Sequence, residues 1–302
     1  MLVISQIVEN FESYCKALEK RNINVKPQLN KLLNLDNERR QTQSKLDDLL
    51  SESNLLAKKI GDYFKNGEIE KASKLKDKAS SIKPKSKILS DKLSEIIKQL
   101  NSLLLDIPNI PNDLVPNGSS EKDNIEIFKH GDIPNLHENA IPHWELATKF
   151  DIIDFDLGNK ITGSGFPVYK NKGAKLQRAL INYFIDKNTD AGYKEIQVPI
   201  LINEASGMGT GNLPDKEGQM YYIKEDDLYL APTAEVPVTN IFRDRIIEPS
   251  DLPICLTSYT PCFRREAGSY GSHVRGLNRL HQFDKVEIVR IEKAKNSYSC
   301  LL

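Results

Sequence analysis

The sequence predicts an α+β protein, with an N-terminal antiparallel two-helix coiled-coil arm followed by an antiparallel β-sheet domain flanked by helices. Three observations carry this expectation. Apolar residues recur in heptad steps twice before residue 106, and a proline-rich stretch then interrupts all regular pattern. Beyond it the pattern is mixed, with an amphipathic helix running into a strand and, further on, a hairpin.

Composition bounds what such a chain can do. At 302 residues it is long enough for two domains with a sizeable core. Lysine plus arginine equals aspartate plus glutamate at 42 each, so no global field draws in DNA or a membrane, and any basic surface must be local. No apolar run approaches the roughly 20 residues that span a bilayer. The opening MLVISQIVENFE lacks a basic start and soon meets acids, which argues against a secretory signal. Cys15, Cys255, Cys262 and Cys300 are scattered without ligand spacing, and the five histidines form no cluster with them. No metal site is therefore expected, and a reducing cytoplasm is the simplest home.

Residues 1–26 read as a short helical lead-in. From Leu32, alternating steps of three and four reach Leu35, Arg39, Thr42, Leu46, Leu49, Ser53, Leu56, Ile60 and Tyr63, and seven of these ten are apolar. After a break marked by Gly61 and Gly67, a second series runs Ala72, Leu75, Ala79, Ile82, Ser86, Leu89, Leu93, Ile96, Leu100 and Leu103, nine of them apolar. Two such helices joined by a short turn fold back as an antiparallel coiled coil over about residues 28–105, an arm on the order of 50 Å long. Pro84 lies inside the second helix, where it removes a hydrogen bond and is expected to kink the rod at a cost of about 3 kcal/mol. From Lys71 to Lys98 nine lysines, Lys71, Lys74, Lys78 and Lys85 among them, face Asp77, Asp91 and Glu95. That is a basic, solvated face.

Residues 107–142, with Pro108, Pro111, Pro116, Pro134 and Pro142, cannot form one helix and mark the domain boundary. Past it, Leu176, Leu180, Tyr183 and Phe184 fall at helical spacing within 172–187, ahead of a strand expected at 196–199. Gly207, Gly209 and Gly211 have the wrong spacing for a dinucleotide fingerprint and read as a mobile loop. In LYLAPTAE, residues 228–235, extended backbone would point Thr233 and Glu235 to one side, offering a hydroxyl and a carboxylate to a small ligand.

The most informative stretch is 259–290. Residues 259–266 and 281–290 suit extended backbone and are joined by a long loop carrying Gly268, Gly271 and Gly276, which makes a hairpin. By alternation Arg264 and Glu266 share one face, and Phe283, Lys285 and Glu287 share another. If those faces coincide, one surface presents an arginine fork that matches a phosphate, an aromatic ring that can stack on a base, and carboxylates that can accept from amines and hydroxyls. The set suits a nucleotide plus an amino compound. A plain salt-bridge ladder on a half-exposed sheet is the competing reading.

FRREAGS followed by RGLNRLHQFDKVE resembles motif 2 of the class II aminoacyl-tRNA synthetases, in the form found in bacterial-type seryl-tRNA synthetases. MLVISQI, LDNERR, IPNIPNDLVPNG, HWEL, GSGFPVYKNKGAKLQRALINYF, VPILIN, GTGNLP and APTAEVPVTN resemble the same family in the family's order. The resemblance implies a tRNA-binding arm at 1–106, a linker at 107–142 and a partial class II catalytic domain at 143–302. Motif 1 would lie at about 172–199, building a homodimer interface, and motif 2 at about 257–290. The family's third motif lies beyond Leu302, so the chain is expected to stop before it and to expose sheet surface that the family buries.

The implied reaction joins serine and ATP into seryl-adenylate, then passes the seryl group to tRNA(Ser) and also to tRNA(Sec). The resemblance makes Thr233, Ala234, Glu235 and Glu287 the serine pocket. It makes Arg264, Arg265, Glu266, Leu280 and Phe283 the ATP site, with Arg264 catalytic at the α-phosphate and Mg2+ across the phosphates. Arg265 alternates to the other face and is given no catalytic role. Lys71, Lys74, Lys78 and Lys85 would grip the tRNA backbone, while Arg275 and Arg279 would meet its acceptor end. Ser272 and His273 depart from the family's usual basic residue and aspartate. His281 is read as structural, because adenylate formation needs no general base. The alternative function is that of a truncated, non-catalytic tRNA-binding relative.

Overall fold

The computed structural model describes residues 2–266 and 275–301, and the chain forms two compact units, 1–133 and 134–302.

The first unit is helical. α1 (Ile4–Glu9) and α2 (Phe11–Glu19) lead into α3 (Lys26–Lys65) and α4 (Ile69–Asp106). Pro27 stands in the first turn of α3, where its missing N–H costs nothing. Only three residues separate α3 from α4, so the helices run back along one another, and Gly67 takes the left-handed conformation at φ 76° that the reversal needs. Every position in both heptad series is buried or half-buried, which is the apolar stripe meeting itself across the pair. At the root, Ile7 and Leu18 of the short helices join Leu29, Leu32, Ile96, Leu100 and Leu104 in one core. Fully burying each such side chain is worth about 1.5–3 kcal/mol.

One expectation for the arm needs correction. Gly61 does not mark the break, because α3 runs through it to Lys65. α4 is one helix through Pro84, which is exposed, where losing one backbone bond is least costly. Arg39 occupies a core heptad position because it turns back on Asp36. That carboxylate is only 3% exposed and is held by Arg39 at 2.8 Å and Arg40 at 2.7 Å. A buried carboxylate between two guanidiniums is stable where an unpaired one is not.

After α4 the chain is irregular and mostly exposed, apart from a short 3-10 turn at Glu121–Asp123. The Lys20 ammonium ties its start to α2 by donating to the carbonyls of Asp113 (2.8 Å) and Val115 (3.3 Å).

The second unit begins with α5 (His143–Lys149). β1 (Ile153–Asp154) follows, then α6 (Phe155–Ile161), β2 (Val168–Tyr169) and α7 (Asn171–Asp190). Next come β3 (Lys194–Glu195), β4 (Leu201–Ile202), α8 (Glu204–Gly209), β5 (Tyr222–Ile223), β6 (Leu228–Leu230) and α9 (Glu235–Asn240). β7 (Ile254–Phe263), β8 (Gln282–Ile291) and α10 (Ser297–Leu301) complete it. β1 pairs with β2, β4-β6-β5 is antiparallel, and in β3-β7-β8 the long pair is antiparallel while β3 runs parallel to β7.

The strand after α7 is therefore at 194–195 rather than 196–199. Its ladder ends once the Ile196 N–H has reached the Thr257 carbonyl at 2.9 Å. Gly207 and Gly209 belong to α8 rather than to a loop. A Cβ at Gly209 would stand 2.7 Å from the Asn240 amide oxygen, so Gly209 lets α8 lie close against α9, while Gly207 makes room for Leu213.

α7 covers one face of the long hairpin with polar contacts. Gln177 donates to Asp284, the Asn188 amide donates to Thr257 at 2.9 Å, and the Tyr259 hydroxyl donates to Asp284 at 2.7 Å. The helix turns Leu176, Leu180, Tyr183 and Phe184 outward, each 45–56% exposed. The opposite face of the hairpin is left for a site.

Candidate active site

The register of β7 on β8 sets that face. Ser258 stands opposite Glu287, Thr260 opposite Lys285, and Cys262 opposite Phe283. Directly opposed residues share a face, so three buried small residues of β7 form a floor beside Phe283, Lys285 and Glu287. Burial pushes the Cys262 thiol upward, keeping it a packing group. Ser258 Oγ is buried without a hydrogen-bond partner among the described residues.

Thr233 closes the near end. LYLAPTAE is not extended throughout: β6 stops at Leu230, Pro232 cannot continue a ladder, and the chain turns into α9. Thr233 is thereby buried with its hydroxyl donating to Glu287 Oε2 at 2.8 Å, while Ala234 is buried beneath it. Glu235 becomes the first residue of α9 and is exposed. Its backbone N–H reaches Thr233 Oγ1 at 3.3 Å, but its carboxylate does not stand beside Thr233 as extended backbone would have it. Lys285, which strand alternation placed on this face without a role, completes the cleft. Its ammonium lies 2.5 Å from Glu287 Oε2 and 3.1 Å from Thr233 Oγ1, closing a triangle of hydroxyl, carboxylate and ammonium.

The far end is an open pocket of about 290 Å3 lined by Arg264, Glu266, Leu277, Arg279, Leu280 and Phe283. β7 ends at Phe263, so strand alternation does not carry Glu266 to this face. A left-handed backbone at φ 47° does, and Arg279 holds its carboxylate at 2.9 Å. Arg264 spans the two ends. Its guanidinium carbon lies 5.3 Å from the Phe283 ring centroid, and its Nε donates to the Pro232 carbonyl, one residue before Thr233, at 3.3 Å. Leu280 is buried at the back of the pocket.

Arg265 is not brought in. It turns to the other side and lies over the Tyr221 ring at 5.5 Å, so the structure gives no support to counting it with the pocket residues. His281 is held by the Tyr221 hydroxyl at 2.6 Å and stacks on Phe166 at 5.2 Å, which is a structural setting. Arg275 lies over Trp144 at 5.4 Å. Gly268, Gly271, Ser272 and His273 lie outside the described residues. On the arm, Lys71, Lys74, Lys78 and Lys85 are all exposed. Lys71 pairs with Glu68, and Lys78 pairs with Glu52 at 2.9 Å.

The chain that carries this pocket and cleft is similar in sequence and fold to known proteins. Residues 221–301 match the tRNA synthetase class II core domain (G, H, P, S and T), which defines the class. Residues 1–111 match the seryl-tRNA synthetase N-terminal domain. The chain is 45% identical to the serine–tRNA ligase of Salinibacter ruber, the match covering 95% of this chain and 67% of that one. It is 43% identical to that of Nautilia profundicola, covering 98% and 71%. The crystal structure of the Pyrococcus horikoshii seryl-tRNA synthetase complexed with ATP superposes with a TM-score of 0.81 at 29% identity, over 99% of this chain and 71% of that one. The chain belongs to the seryl-tRNA synthetase family.

The hairpin that carries the site should resist alkali in a defined way. Burial, reinforced by the hydrogen bond to Asp284, pushes Tyr259 up to about 12 from an ordinary value of 10.0. The folded chain thus holds this proton more tightly than the unfolded chain. Its contribution to stability is whole below pH 10.0 and drains away as pH rises towards about 12. Ultraviolet titration should show one tyrosine ionising near the upper value, and Tyr259→Phe should abolish that phase and reduce the loss of stability across this window. A Tyr259→Phe titration identical to that of the unmodified chain refutes the assignment.

Proposed function

We propose that this chain carries the serine-activating site of a serine–tRNA ligase, forming seryl-adenylate from serine and ATP and passing the seryl group to tRNA(Ser). Family membership supports the activity, and the observation that carries the site reading is the position of Arg264 between the Thr233–Glu287 cleft and the Phe283 pocket. In-line attack of the serine carboxylate on the α-phosphate brings two anions together. A guanidinium fork between amino-acid cleft and nucleotide pocket can bind both and offset their repulsion, so positioning and electrostatics carry the rate.

Each role comes from the chemistry of the group. Phe283 offers its face to the adenine, and Glu266 accepts from the base's amino group. Glu287 and Thr233 accept from the serine ammonium and hydroxyl. Alanine would leave these polar groups unpaired, a penalty that favours serine strongly. Lys285 adds a second cation beside the reacting carboxylate. Mg2+ would offset the charge of the phosphates. The ion would travel with the triphosphate.

The exposed lysines of α4 are the proposed tRNA backbone contact. Their pairs with Glu68 and Glu52 are solvent-exposed, worth little, and exchangeable for phosphates. The outward apolar row of α7 is the proposed seat of a second copy in a homodimer. Among the described residues no helix is long and apolar enough to cross a membrane, and the four cysteines are unpaired, which fits a reducing cytoplasm.

Four measurements test this. Pyrophosphate exchange into ATP should require serine, and equal exchange with threonine or proline would sink the serine reading. Arg264→Lys, which keeps charge but loses the fork, should lower exchange by about a hundredfold or more with folding intact. Converting Lys71, Lys74, Lys78 and Lys85 to glutamine should weaken tRNA(Ser) binding and flatten its salt dependence by roughly 0.7–0.9 in log–log slope for each phosphate no longer neutralised; an unchanged slope removes the arm from tRNA binding. Leu180→Glu should shift sedimentation from dimer to monomer, and a monomeric unmodified chain would refute the role given to α7.

A further inference from the structure

We propose that His143 is a positioning residue for the nucleotide pocket, clamping the turn that forms the pocket's outer wall. The inference rests on the ATP reading of that pocket. His143 is the first residue of α5, far in sequence from the hairpin, yet its Nε2 accepts a hydrogen bond from the Leu277 backbone N–H at 2.8 Å. That bond uses Nε2 as an acceptor. The approach is possible only over glycine. Gly276 has φ 72°, and a Cβ there would stand 2.3 Å from His143 Nε2. The next residue of α5 adds a second grip, since the Arg275 guanidinium lies 5.4 Å from the Trp144 ring centroid. Two consecutive residues of α5 thus hold three consecutive residues of the turn.

The gripped turn runs directly into the pocket wall. Leu277, Asn278, Arg279 and Leu280 line the pocket, and Arg279 in turn fixes Glu266 at 2.9 Å. Fixing the Leu277 backbone therefore sets the mouth of the pocket before a nucleotide arrives, so less order has to be created on binding. Among the described residues His143 makes no hydrogen bond to Arg264, Thr233 or Glu287. Its effect belongs on ATP affinity, with serine affinity spared.

Equilibrium dialysis of the 302-residue chain with ATP and, separately, with serine tests this. His143→Phe keeps a ring of similar size and removes the acceptor, whereas His143→Gln restores an acceptor oxygen at similar reach. His143→Phe should weaken ATP binding about three- to tenfold, the range one hydrogen bond carries, and leave serine binding within about twofold. His143→Gln should recover most of the loss. The chain has one tryptophan, so its emission reports on Trp144 alone and should change in His143→Phe before any ATP is added, as Arg275 loses its seat. Unchanged ATP affinity and emission in His143→Phe overturn the clamp, as does equal loss of ATP and serine binding, or a His143→Gln chain no better than His143→Phe. Failure of the unmodified chain to bind ATP overturns the ligase site and this inference together, whereas the other outcomes strike this inference alone.

Discussion

Everything in the second unit hangs on the register of one antiparallel ladder. β7 and β8 pair over ten residues each, and the pairing of Ser258 with Glu287 and Cys262 with Phe283 decides which side chains share a surface. A slip of one residue would send Phe283, Lys285 and Glu287 to the helix-covered side and bring Asp284 and Val286 to the site. The register is fixed from the other face. Gln177 of α7 engages Asp284, Asn188 engages Thr257, and Tyr259 closes on Asp284 within the ladder. Polar bonds suit this task better than apolar contacts, because a hydrogen bond tolerates no translation by one residue while an apolar surface accepts many.

That dependence explains what the letters could and could not reveal. The heptads of the arm were legible because a coiled coil is a local periodicity, and even its exceptions are local: Arg39 sits in the stripe because Asp36 is one turn before it. Strand alternation likewise brought out Phe283, Lys285 and Glu287 together, though it gave no reason to assign Lys285. It failed where the backbone leaves the strand. Thr233 reaches Glu287 through a turn after Pro232, which strips Glu235 of the neighbour that extended backbone would have given it. Glu266 reaches the pocket through a left-handed conformation that is uncommon for a residue with a Cβ. His143 and Gly276 are invisible to any periodicity, because they meet only once the chain has folded.

The arm shows how little the rod depends on perfect local propensity. Gly61 and Pro84 both sit inside long helices, and either alone would argue for a break. Each helix survives because its stripe is buried against its partner along most of the length. Tertiary burial outweighs a defect that faces water. At the root, the added packing of α1 and α2 gives the rod a fixed base.

If the cleft of Thr233, Lys285 and Glu287 takes the amino acid, as proposed, it poses a sharper electrostatic question than its residue types suggest. Without ligand, the Glu287 carboxylate is already satisfied by the Thr233 hydroxyl and the Lys285 ammonium, so the cleft is closed as a neutral set. A free amino acid brings one positive and one negative group. Its ammonium can take the place of the lysine ammonium on Glu287 only if Lys285 finds another anion, and the incoming carboxylate is the anion that arrives with it. Recognition is then an exchange of partners in which no charge is left unpaired at either end, and that limits the desolvation cost which a half-buried carboxylate would otherwise exact. An amine without a carboxylate would strand the lysine. A carboxylic acid without an amine would leave Glu287 on Lys285 and add an anion beside it. Under the proposed function, the triangle would favour the zwitterion as a unit before the side-chain hydroxyl is tested at all.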